Sequence, residues 1–166
     1  MFPLDKILVA TDFSDASDAA IDTAIALASR VGATITLVHA YELPFYGFPE
    51  AGMIAQAEVA ADLDTSLHQV MRDEIASRED SGVAMTHVVR MGPAVEAINM
   101  IADEIAADLI VVGTHGRTGL VHAILGSTAE HVVRSAVRPV LIVRKPAAAL
   151  SDEDQSRKNA PHEAHA

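Results

Sequence analysis

The chain has no cysteine and no tryptophan among its 166 residues. Disulfides, thiolate nucleophiles and zinc–thiolate sites are therefore excluded. Only 4% of the residues are aromatic although 50% are hydrophobic. A core must then be built from Ala, Val, Ile and Leu, the usual filling where helices pack on a parallel sheet. No apolar run approaches the roughly 20 residues that a membrane-spanning helix needs. The opening "MFPLDK" lacks the pattern of a signal peptide, so the expected location is cytoplasmic, with no membrane insertion. Positive charge is scarce as well: 12 Lys and Arg stand against 23 Asp and Glu, a formal net charge of −11. Such a surface favours solubility and repels phosphate backbones and anionic lipid, so nucleic acid is not an expected partner. Any phosphate ligand has to be held by a local device that works against this field.

What the sequence does contain is alternation. "KILVATD" (6–12) is a short apolar run read as a buried strand. A helix follows, with Ile21, Ala24, Ile25 and Ala28 at helical spacing, Ser14 or Asp15 as its cap and Gly32 as its stop. "TITLVHA" (34–40) reads as a second strand, and "YELPFYGFPEAG" (41–52) as a loop. A long helix then runs to Asp80, with Leu63, Leu67, Val70, Met71 and Ile75 on one face. "AMTHVVR" (84–90), "ADLIVVG" (107–113) and "RPVLIVR" (138–144) supply three more strands. Between them lie a helix with Pro93 at its first position and Ile98, Ile101 and Ile105 in its buried stripe, and a last helix opened by Ser127. Strands alternating with amphipathic helices predict a single open five-stranded parallel sheet, Rossmann-like, with helices on both faces. The expected domain spans 1–146. Residues 147–166 have almost no large apolar side chains and read as a disordered acidic tail.

The unusual segment is "GTHGRTGLVHAILGSTAEHVV" (113–133). Strand-to-helix connections in such sheets take about two to six residues, yet thirteen lie between Gly113 and Ser127. Glycine lets the backbone take positive φ and approach a ligand closely. "GST" then opens a helix, where free N–H groups and the positive dipole end attract anions. Ser127 and Thr128 add hydroxyls and Arg117 adds a cation, so the segment has the parts of a phosphate cradle. Ser127 with Glu130 is equally a capping box that needs no ligand, and Arg117 equally a solvated loop cation. The pattern is neither a Walker A loop, since no Gly-Lys pair precedes Ser127, nor GxGxxG.

The spacing G-x2-G-x9-G-[ST], matched by Gly113, Gly116, Gly126 and Ser127, resembles the nucleotide-binding signature of the universal stress protein family. "KILVATDFSDAS" is similar to the family's opening strand and Asp-containing turn. "VVRMGPAVEAI" resembles its third strand and following helix, and "RPVLIVR" its closing strand. The resemblance covers residues 4–145 and implies strand order 3-2-1-4-5, ATP binding and a dimer. In that order the reversal lies between strands 1 and 4, which is where ligands bind in open α/β sheets. By the resemblance, Ala10, Thr11 and Asp12 line the adenosine side, and the backbone of Ala40 meets adenine. Gly113 lies beside the ribose, and Gly116, Arg117, Gly126, Ser127 and Thr128 hold the phosphates. Asp12 and Ser127 are the candidates for contact with Mg2+, and Asp12 is equally read as a cap on the first helix. The closing strand, 139–144, would pair with its copy in a homodimer or a higher oligomer.

Four of the six aromatic residues, Tyr41, Phe45, Tyr46 and Phe48, fall in one loop. They form a packing cluster, a lid over the adenine pocket or a patch for a partner subunit. Eight histidines are scattered, and "HEAH" (162–165) is not the HExxH of a zinc protease. His115 and His122, in the glycine loop, face solvent, pack, or touch phosphate. The loop offers no evident general base and no Lys beside the phosphates, which weighs against catalysis. The reading is a regulatory ATP-binding module of the stress response that acts through its dimer and an unknown protein partner. The alternatives are a weak ATPase or self-phosphorylating enzyme, and an ATP-independent scaffold dimer.

Overall fold

The computed structural model describes residues 4–43, 51–114 and 125–144, with the backbone alone for 51–56. Five strands, β1 (Lys6–Ala10), β2 (Thr34–Tyr41), β3 (Met85–Met91), β4 (Leu109–Gly113) and β5 (Val140–Val143), alternate with four helices. The helices are α1 (Asp15–Val31), α2 (Ala51–Ala76), α3 (Ala94–Glu104) and α4 (Ser127–Ser135), and a 3-10 turn, Glu79–Ser81, follows α2. All strand pairs are parallel and the sheet order is β3-β2-β1-β4-β5.

The two-residue period of β1 divides the core. Ile7 and Val9 join Ile35, Leu37 and Val111 under α1 and α2, while Leu8 joins Val38, Ile110 and Val112 under α3 and α4. All three β1 residues are fully buried, as a parallel strand covered on both faces requires. In α1 the inward positions Ala16, Ala20, Ala24 and Ala28 repeat at every fourth residue and are buried. A stripe of such small side chains lets α1 lie close against the sheet. Ser14 caps α1 in a reciprocal capping box with Ser17, and Gly32 ends it at φ 77°, donating its N–H to the Ala28 carbonyl at 2.8 Å.

Three sequence readings shift. Asp15 is inside α1 and not its cap. Pro93 is the N-cap of α3, at ψ 134°, one position before the helix. Val70 was expected on the buried face of α2, yet it is 43% exposed while Met71 is fully buried. The reason is that α2 covers the outermost strand, β3, so only a narrow stripe of the helix meets the sheet. Arg78, beyond the end of α2, ties it to α1 through Glu74 at 2.7 Å, Asp22 at 3.2 Å and Asp18 at 3.3 Å. Residues 147–166, expected to form the tail, lie outside the described residues.

Candidate functional site

Strand order reverses between β1 and β4, which pair through Ile7–Leu109, Leu8–Ile110 and Val9–Val111. The chain leaves these two strands in opposite directions, so a crevice opens beyond their carboxyl ends. There the structure has a cleft of about 290 Å3. Of the ten residues expected in a nucleotide site, Ala10, Thr11, Asp12, Ala40, Gly113, Gly126, Ser127 and Thr128 line it. The remaining two, Gly116 and Arg117, lie outside the described residues, as do His115, His122, Phe45, Tyr46 and Phe48. Tyr41 is described, and its hydroxyl donates to Asp64 of α2 at 3.1 Å.

The β1 side of the cleft is a rigid turn. Thr11 is buried, donates its N–H to the Val38 carbonyl at 2.9 Å and accepts the Phe13 N–H on its hydroxyl at 3.1 Å. Phe13 has φ 61°, an uncommon conformation for a residue with a side chain. Asp12 is not the helix cap: it accepts the N–H of Ser14 at 3.2 Å and its hydroxyl at 2.5 Å, and Ser14 does the capping. Asp12 is the one ionisable side chain among the described cleft residues.

The opposite side is the start of α4. Thr114 donates its N–H to the Val143 carbonyl at 2.9 Å and accepts the Gly126 N–H at 2.6 Å, so the two ends of the glycine segment are tied together. Gly126 is the N-cap of α4 and has no side chain to cap with. The capping-box reading of Ser127 and Glu130 fails, because Ser127 is already helical and Glu130 turns along the helix to Arg134, 2.8 Å away. Among the described residues no side chain caps the first turn of α4, which opens on the cleft with the exposed Ser127 and Thr128.

Gly113 takes part for a reason that the sequence hid. A Cβ built on it would lie 2.6 Å from the carbonyl oxygen of Ala16 and 2.8 Å from its carbonyl carbon. The glycine lets the end of β4 pass against the first turn of α1, the same close helix–strand packing for which dinucleotide-binding sheets use glycine.

Sequence reasoning missed Ser17, Val38, Ala94, Ile98, Val112, Thr114 and Ala129 as cleft residues. Ala94 and Ile98 are four apart on α3, in the stripe that also makes the core, so periodicity could not distinguish the two roles. Together with Val38 and Ala40 of β2 they make the β2–α3 wall apolar, while Thr11, Ser17, Thr114, Ser127 and Thr128 bring hydroxyls to the β1–α1 turn and the α4 side, where the first turn of α4 begins. A ligand suited to this cleft has a flat apolar part and an anionic part. Among the described residues no group of three His, Asp or Glu side chains converges on a metal position, and no helix is long and apolar enough to cross a membrane.

Fold and cleft together define an open, doubly wound α/β protein with a crevice at its topological switch point. The chain belongs to the universal stress protein family, whose sequence pattern matches residues 3–144. It is 35% identical over 143 residues to universal stress protein MJ0531 of Methanocaldococcus jannaschii, spanning 85% of this chain and 82% of that one. The solved structure of universal stress protein UspA from Lactobacillus plantarum matches with a TM-score of 0.74 at 26% identity, over 85% of this chain and 98% of its own. A universal stress protein solved in complex with cAMP matches with a TM-score of 0.57 at 28% identity, over 87% and 99% of the two chains.

Proposed function

We propose that this chain is a regulatory module of the stress response that binds an adenine nucleotide, ATP with Mg2+, in the cleft at the switch point. The observation that carries the reading is the N-terminus of α4, capped by no described side chain, which opens on a cleft whose other wall is apolar. Adenine would lie against Val38, Ala40, Ala94 and Ile98, with Ala10 and Thr11 beside the adenosine and Gly113 beside the ribose. The phosphates would take the α4 N–H groups, the Ser127 and Thr128 hydroxyls, and Gly116 and Arg117. Asp12 and Ser127 would contact the Mg2+. The relative that binds cAMP supports the adenine part of this assignment. The module works in the cytoplasm as a homodimer through 139–144, since β5 is the last strand of the described sheet and such an edge can pair with a second copy. A monomeric mass by light scattering at micromolar concentration would remove the dimer.

The deciding experiment is the thermal midpoint of the nucleotide-stripped protein with ATP, ADP, AMP and cAMP, beside Gly126→Asp. Gly126 has φ −68° and ψ 153°, which any residue adopts, and Asp is a favoured N-cap. The variant should keep its stability without ligand while its carboxylate occupies and repels from the phosphate position. At 100 times Kd, ligand adds about 2.7 kcal/mol, a rise of roughly 5–10 °C for a domain of this size. A rise in the parent that is absent in the variant supports the reading. No rise in the parent with any of the four sinks it and leaves the scaffold dimer. Release of phosphate from labelled ATP above background, lost on changing Asp12, would instead make the protein an enzyme.

A further inference from the structure

His39 is buried in β2 at 6% exposure, on the face of the sheet opposite the cleft. Its neighbours in the strand, Val38 and Ala40, point into the cleft. The two-residue period of the strand turns His39 away from them, toward the α1 side where Leu37 is packed. It nevertheless reaches the β1–α1 turn from behind. Its Nδ1 lies 2.8 Å from the carbonyl oxygen of Thr11, and since a carbonyl only accepts, Nδ1 carries the proton. Its ring lies 4.5 Å, centroid to centroid, from that of Phe13. Consecutive residues of β2 therefore hold both backbone groups of Thr11: the Val38 carbonyl takes its N–H and the His39 ring donates to its C=O. Asp12 sits between Thr11 and Phe13, both of which His39 contacts. Phe13 keeps an unfavoured φ of 61° with its ring against the imidazole.

We propose that His39 is a positioning residue for the cleft: from the far side of the sheet it sets the Thr11–Asp12–Phe13 turn, and with it the presentation of Asp12, without touching the ligand. This rests on the reading of the cleft as a nucleotide site, and Mg-ATP is the probe. The hydrogen bond and the ring contact are separable. His39→Asn keeps an N–H donor near the Nδ1 position and loses the ring, whereas His39→Phe keeps a ring and leaves the buried Thr11 carbonyl without its donor. Ile35→Val, at the other end of β2, is a control that lowers stability away from the turn.

The measurements are Mg-ATP affinity by calorimetry and amide exchange of residues 11–17 without ligand, with the thermal midpoint checking that each variant is folded. His39→Phe is expected to weaken Mg-ATP about tenfold and to speed exchange in the turn. His39→Asn should recover most of both effects, and Ile35→Val should change neither. His39→Phe with parental affinity and exchange overturns the proposal, as does Ile35→Val weakening affinity equally. If the parent itself does not bind Mg-ATP, the nucleotide reading fails separately. The exchange data then decide the role of His39, with faster exchange confined to His39→Phe supporting it and unchanged exchange overturning it.

Discussion

Replacing Gly113 by alanine adds one methyl group to a place where two pieces of backbone meet. Its Cβ would stand 2.6 Å from the Ala16 carbonyl oxygen, 2.8 Å from the carbonyl carbon and 3.2 Å from the Ala16 Cβ. Ordinary carbon contacts lie at about 3.5–4.0 Å, so β4 and α1 must separate by roughly 1 Å. Neither yields easily. The end of β4 is bonded into the sheet beside β5, and the first turn of α1 is held by its capping box. Overpacking of this kind costs about 1–3 kcal/mol, and contact with backbone on both sides puts Gly113→Ala in the upper half of that range. At roughly 2–4 °C per kcal/mol for a protein of this length, the thermal midpoint should fall by about 5–10 °C. Calorimetry and urea unfolding at neutral pH measure it. Ala16→Gly in the same chain should give no rescue, because the two nearest atoms belong to the Ala16 backbone. Gly82→Ala is the comparison: at φ 67°, with nothing within 4 Å of its Cβ, it carries only the left-handed backbone penalty, about 1 kcal/mol. A Gly113→Ala midpoint within about 1 °C of the parent would refute the close-packing argument.

Two further perturbations test neighbouring parts of the structure. Ser14→Ala removes the side-chain half of the α1 capping box and the hydroxyl bonded to Asp12, and leaves the backbone N–H of position 14 donating to Ser17; it should cost about 1 kcal/mol, and a midpoint unchanged by calorimetry would show that water replaces the cap without loss. His87 titrates below its ordinary 6.5, because burial and then the facing His68 and Arg72 of α2 disfavour its proton. The folded protein thus binds fewer protons than the unfolded chain just below pH 6.5. Its contribution to stability is whole above that pH and is lost as pH falls through the window beneath it. The difference in midpoint between the parent and His87→Gln, followed from pH 7.5 down to 5, should change over that window, and a constant difference would remove His87 as the cause.

Much of the molecule was legible in its local patterns. Runs such as "KILVA" and "LIVVG" are too short and too uniformly apolar for surface helices, and Ile21, Ala24, Ile25 and Ala28 at helical spacing mark the first helix. These are short-range patterns, so the alternation of strands and helices followed from them. The family resemblance supplied the sheet order. Where two readings of one residue competed, local pattern did not choose between them. Ser127 and Glu130 have capping-box spacing, yet α4 starts at Ser127, Gly126 is its cap and Glu130 pairs with Arg134. The hydrogen bond from Gly126 to Thr114 places that start, and it joins residues twelve apart across the glycine segment. Val70 fits the apolar face of α2 by spacing and is nonetheless exposed, because the width of a buried stripe depends on what the helix covers.

Composition and local pattern were enough for the element types, their order along the chain, the acidic and cysteine-free character of the protein, and the glycine spacing. Each depends on residues within a turn or two of one another, or on simple counts. Folding settled which of these residues meet. Ala10–Asp12, Val38 and Ala40, Ala94 and Ile98, Gly113–Thr114 and Gly126–Ala129 come from five separate stretches of chain, brought to one cleft by the strand order and register. It also settled that Gly113 makes room for Ala16 and that the His39 ring meets the Thr11 carbonyl and Phe13. The cause is the same in each case. A parallel sheet pairs strands that are distant in sequence, and the contacts made across it depend on register and face, which no local pattern encodes.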